Sequence, residues 1–176
     1  MIYIYQMKYL SLLLIPMLWL CSVSCDSNTE DMTTEDQLEE PTENPMIEPN
    51  SSALITGVTT SGQSGSILFN VTIKSPDTGC DQYADWWEVI STDGTELVYR
   101  RILGHSHVEE QPFTRSGTAP LDSDTEVIVR GHMNNLGYGN VVYRGSVATG
   151  FEEEILDEGF GLELATIEPL PDNCAF

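Results

Sequence analysis

Basic residues are scarce in this chain: 7 Lys and Arg stand against 28 Asp and Glu among 176 positions. A phosphate backbone would be repelled, and no cationic stripe exists to hold one, so nucleic acid is excluded as a partner. Recognisable catalytic patterns are lacking as well. There is no His-Glu-x-x-His, no nucleophile elbow and no glycine-rich phosphate cradle. Ser116, in Arg115-Ser116-Gly117, is tied to no base, and with so many acids a carboxylate pair carries no information about glycoside hydrolysis. No enzyme is expected. Long apolar runs are missing too: the longest, Tyr9 to Leu20, contains Ser11 and Pro16 and falls short of the roughly 20 residues that span a bilayer.

That short run follows one basic residue, Lys8, and gives way to small residues, the pattern of a secretory signal peptide; a retained membrane anchor is the alternative. Cys21 lies behind the bulky Leu18-Trp19-Leu20, a poor fit to a peptidase pocket, whereas Cys25 lies behind Ser22-Val23-Ser24. Residues 1 to about 35 resemble the start of a bacterial lipoprotein, with Ser22 where such lipoboxes prefer Leu. The resemblance implies a signal peptide over residues 1–24 and lipidation of Cys25, whose several acyl chains would anchor the protein durably to a membrane. Asp26, Glu30 and Asp31 resemble the export signal of outer-membrane lipoproteins, which implies an envelope location, surface-exposed or facing the periplasm. Residues 25–50 then hold nine acids, no base, Pro41, Pro45 and Pro49 and almost no large apolar side chain. Such a stretch is expected to be a disordered, self-repelling tether.

From Leu54 the texture changes to short apolar runs divided by turn residues at about ten-residue intervals, the signature of an all-β domain over residues 51–150. Strands are expected at Leu54 to Thr60, Ser66 to Lys74, Tyr83 to Ile90, Glu96 to Leu103, Thr125 to Met133 and Val141 to Val147, with a short one at Pro112 to Arg115. In the second, Ile67, Phe69, Val71 and Ile73 alternate with polar or small residues; in the third, alternation sends Trp86 and Trp87 to opposite faces. The Trp in the third strand and the Val127-x-Val129 of the sixth resemble an immunoglobulin or fibronectin type III domain, although the Tyr expected before Val127 is absent. The resemblance implies a β-sandwich of about seven strands; a cupredoxin-like or other Greek-key sandwich is the nearest rival. Residues 151–176 read as a tail packed on the sandwich, with poor helical turns near residues 153–165 because Gly159 and Gly161 intervene. Cys80 and Cys174, the pair left once Cys21 and Cys25 are assigned, are expected to form a disulfide pinning that tail; two free thiols are the alternative. Closing 94 positions would stabilise the fold by roughly 4–5 kcal/mol on a chain-entropy argument.

Two constellations could serve a ligand. His105, His107 and His132 are drawn to one end of such a sandwich, and neutral imidazoles there could hold copper or zinc, with Met133, Asp81, Glu109 or Glu110 in support. One strand lies between them, however, a gap of about 10 Å, so binding requires the 105–107 loop to fold inward. Ordinary loop hydrogen bonds are the other reading. Trp86, Arg100, Arg130 and Tyr143 make up a candidate face for a protein or glycan partner, an acidic glycan included. Against it, the arginines can pair with Glu88, Glu126 or Asp85, and Arg130 can shield the tryptophan.

Overall fold

The computed structural model describes residues 49–175. The signal peptide, Cys25 and most of the tether expected above lie outside the described residues.

The described chain is all-β, in two sheets, with one 3-10 turn at Leu162–Thr166. The strands are β1 (Leu54–Gln63), β2 (Ser66–Lys74), β3 (Ala84–Ser91), β4 (Leu97–Ile102), β5 (Phe113–Ala119), β6 (Val127–Met133), β7 (Gly137–Tyr138), β8 (Val141–Ser146) and β9 (Gly150–Ile155). The smaller sheet runs β1-β2-β5; the larger runs β4-β3-β6-β8-β9, with β7 also paired to β6. All the neighbouring strands within each sheet are antiparallel.

Period-two patterning builds the core between the sheets. Ile67, Phe69, Val71 and Ile73 of β2 face Trp87 and Val89 of β3 and Val127, Val129 and Met133 of β6 in one buried cluster. The larger sheet is covered on its other face as well. There Ile90, Ile128 and Val142 pack beneath Leu156, Leu164 and Phe160 from the C-terminal segment, which crosses the sheet as a strap. Every residue of β6 is buried for this reason, polar ones included. Each fully buried Ile or Leu contributes roughly 1.5–3 kcal/mol. This apolar layer therefore holds the strap; buried ion pairs largely cancel their own desolvation. Cys80 and Cys174 are joined, with 5.6 Å between their Cα atoms, so the strap is pinned at its far end.

Several local features depart from the expected strands. β1 runs on to Gln63 and turns through Ser64-Gly65 alone. β5 extends to Ala119, since its whole length pairs with β2. Gly137-Tyr138, which reads as part of a glycine-rich loop, pairs with β6. The segment read as a tail packed on the sandwich begins as strand β9, with its one helical turn, a 3-10 turn, only at Leu162–Thr166: Phe151 reaches inward to Phe69, with ring centroids 5.8 Å apart, while Arg144 pairs with Glu154 across the hairpin. The turn after β3 is also tied to the strap. Gly94 has φ +72°, and a Cβ there would lie 2.7 Å from the Phe160 ring, so both backbone and packing require glycine.

Candidate functional site

After β4 the chain leaves the sheet as Leu103-Gly104-His105-Ser106-His107-Val108-Glu109-Glu110. A single buried carboxylate folds this loop inward. Asp77, in the turn after β2, accepts the backbone N–H of His107 at 2.8 Å on Oδ2, while its Oδ1 accepts the Ser75 hydroxyl at 2.7 Å and the Ala84 N–H at 3.0 Å. Gln111 adds a second clamp, donating to the His107 carbonyl at 3.1 Å and accepting the Ser75 N–H at 2.9 Å. The strap closes the other side. His105 forms a parallel bridge with Ala175, whose N–H donates to Gly104 at 2.8 Å, and the neighbouring Cys174 is held by the disulfide.

The His107 ring stacks on Phe113 at the start of β5, with centroids 3.7 Å apart and planes within 7°. The residue is 2 % exposed, yet neither ring nitrogen has a hydrogen-bond partner; Nδ1 is 3.9 Å from Asp77 Oδ2. Burial, then the neighbouring Arg115 and His105, push its pKa down to about 4, against the pull of Asp77 and Glu110. The ring is therefore neutral at pH 7, a lone-pair donor with nothing to receive it. His105 lies beside it, with ring centroids 4.4 Å apart. Ligand atoms of His105, His107 and Glu110 all lie within 4.8 Å of one another, and an open cleft of about 520 Å³ is lined by these three with Ser106, Val108, Glu109 and Ala175. Glu110 also pairs with Arg115 at 3.0 Å.

The three histidines expected together are thus divided. His105 and His107 meet; His132 stands outside their group. The cause is the face each ring takes. His107 turns to Phe113 of the smaller sheet, whereas His132 lies on the outer face of β6, stacked 3.7 Å from Trp86, with Nδ1 2.7 Å from Asp85 Oδ1. Glu110, a supporting acid in the sequence reading, takes the third position.

The expected partner face is divided too. Glu88 lies between two guanidiniums: Arg100 donates to its Oε2 through Nε at 2.7 Å and Nη2 at 2.5 Å, and Arg130 Nε donates to Oε1 at 2.8 Å. The remaining N–H groups go to strap carbonyls. Arg100 reaches Leu164 at 2.7 Å, Pro169 at 3.2 Å and Ile167; Arg130 reaches Phe160 at 2.8 Å and Gly161 at 2.9 Å. Arg130 lies 3.5 Å over the Tyr138 ring and Arg100 lies 4.4 Å over Trp86. Burial, followed by the Glu88 charge, drives the Tyr138 hydroxyl far above its ordinary range. Trp86 is 4 % exposed, and Tyr143 faces the opposite way, packed on the inner core and donating to the Thr56 carbonyl at 3.2 Å. These four side chains present no open surface together. The pairing of arginines with Glu88, weighed from the sequence, describes the observed contacts, but the guanidinium that covers Trp86 is that of Arg100 and not of Arg130, which lies over Tyr138.

Asp77 is the residue that sequence reasoning passed over. Its Pro76-Asp77 setting signals a turn, but its contact with His107 spans 30 positions and leaves no mark in local sequence.

No family model matches this chain, and no solved structure matches it. It is similar to a protein of Halomicrobium mukohataei named "Putative lipoprotein", 44 % identical over 75 residues. The match covers 42 % of this chain and 36 % of the relative, so the chain spans about a third of the length of the curated relative it matches. Among the described residues no helix is long and apolar enough to cross a membrane.

Proposed function

We propose that the protein is a lipid-anchored cell-envelope lipoprotein, held through Cys25 in the outer membrane, that displays one immunoglobulin-like β-sandwich as a non-catalytic binding or assembly module. The observation that carries the lipoprotein part of this reading is the similarity, 44 % identity over 75 residues, to a protein named "Putative lipoprotein", beside the apolar run Tyr9 to Leu20 and the lipobox-like Cys25. The strand order supports the module. With β1 to β6 and β8 lettered A, B, C, C′, E, F and G, the sheets read A-B-E and C′-C-F-G, the arrangement implied by the fibronectin type III resemblance. β9 then extends the G edge, and the strap closes the outer face of the larger sheet.

In a bacterial expression host, the protein incorporates labelled fatty acid and Cys25→Ala abolishes that labelling, while globomycin leaves a labelled precursor heavier by the uncleaved residues 1–24. Absence of fatty-acid labelling in the wild type, or labelling that survives Cys25→Ala, rules out the lipid anchor at this residue.

A further inference from the structure

We propose that His105, His107 and Glu110 form a binding site for one divalent transition-metal ion of the zinc or copper type, independent of the lipid anchor. The donors are chemically suited: imidazole nitrogen and carboxylate oxygen are the ligands of borderline divalent ions. Their arrangement divides the work. His107 is the fixed ligand, its ring clamped on Phe113 and its backbone on Asp77. Both its nitrogens are buried without partners, and the residue lines the cleft shared with the other two ligands. Each unmet nitrogen has a desolvation cost, and a metal bond removes that of the nitrogen it engages.

The two remaining ligands are exposed and able to close on an ion. Zinc bonds of about 2 Å put tetrahedral donors roughly 3.3 Å apart. The present spread of up to 4.8 Å must therefore contract. Rotations about the exposed His105 and Glu110 side chains provide that movement with the backbone unchanged. Arg115 opposes it, since it holds Glu110 at 3.0 Å and must release that carboxylate. Three protein ligands leave a fourth position of a tetrahedral ion open to the cleft, for water or for a group offered by a partner.

The site is tested on untagged full-length protein in detergent, with Zn2+ followed by calorimetry and Co2+ by its absorption bands. One equivalent binds per chain. His107→Leu abolishes binding, His105→Ala and Glu110→Gln each weaken it at least tenfold, Arg115→Gln tightens it several-fold, and His132→Ala leaves it unchanged. Circular dichroism confirms that each variant is folded. His105→Ala and Glu110→Gln alter only exposed side chains, so their readout stands even where His107→Leu perturbs the loop. The assignment is overturned by loose binding of several ions that none of these variants alters, which would place them on the acidic stretch of residues 26–50. It is equally overturned by a one-to-one complex that survives His107→Leu or depends on His132.

Discussion

Glu88 and His107 are both almost wholly buried, yet their surroundings treat them differently. Glu88 meets two guanidiniums whose other N–H groups find strap carbonyls, so every polar group of the trio has a partner although one carboxylate faces two positive charges. Both ring nitrogens of His107 lack partners, and the ring borders an open cleft. The first site is closed: its polar groups are consumed by the fold, which joins β3, β4, β6 and the strap. The second holds a donor in reserve, stacked on Phe113 and tied through its backbone to Asp77, beside two exposed neighbours, His105 and Glu110. Burial by itself therefore does not separate a structural polar site from one able to bind. What separates them is whether the buried atoms are satisfied.

The largest expected effect breaks the closed site. Glu88→Gln leaves two buried guanidiniums facing a neutral amide, and denaturant titration is expected to show a loss of about 3–5 kcal/mol. Replacing the trio together, as Glu88→Leu, Arg100→Met and Arg130→Met, restores most of that stability, because desolvation of the charges disappears along with their attraction. A single-variant loss below about 1 kcal/mol would show that water reaches the trio and that the site is not closed.

Next in size is a pH effect at His107. Its folded pKa of about 4 lies below the ordinary value of 6.5, so between these limits the unfolded chain binds the extra proton. Stability is fully present above pH 6.5, falls as pH drops toward 4, and loses about 3 kcal/mol through this group. Thermal unfolding in chelator across that window measures it. If His107→Leu retains the wild-type slope there, the slope belongs to other groups.

The smallest effect sharpens the contrast from the other side. At pH 7 without metal, His107→Leu replaces two unpartnered nitrogens by carbon while keeping the backbone bond to Asp77. It is expected to stabilise the fold by about 1 kcal/mol. A destabilisation would mean that the ring nitrogens are satisfied in solution.

Particular residues mark how far the sequence could be read. Alternation in β2 announced its buried face, and the pairing of Cys80 with Cys174 followed from counting, but the adjacent tryptophans showed only that they take opposite faces; that both faces are covered came from the strap. His105-Ser106-His107 was visible as a donor pair, and Glu110 as a nearby acid. β9 was not legible, because an acidic Glu152-Glu153-Glu154 run shows no core-facing stripe; its place depends on Phe151 and on pairing with β8. His132 looked like a third ligand until the stack on Trp86 and the contact with Asp85 fixed it elsewhere.

What this sequence determined unaided is whatever rests on local chemistry: an acidic chain, short strands of period two, one cysteine pair and a donor-rich loop after β4. Tertiary structure alone decided which donors meet and which polar groups are spent. Those outcomes depend on contacts such as Asp77 to His107 and Arg100 to Leu164, 30 and 64 positions apart, for which neighbouring residues carry no signature. Alternation assigns a side chain to a face of its strand, but only the packing of the strap and the loop determines what that face meets.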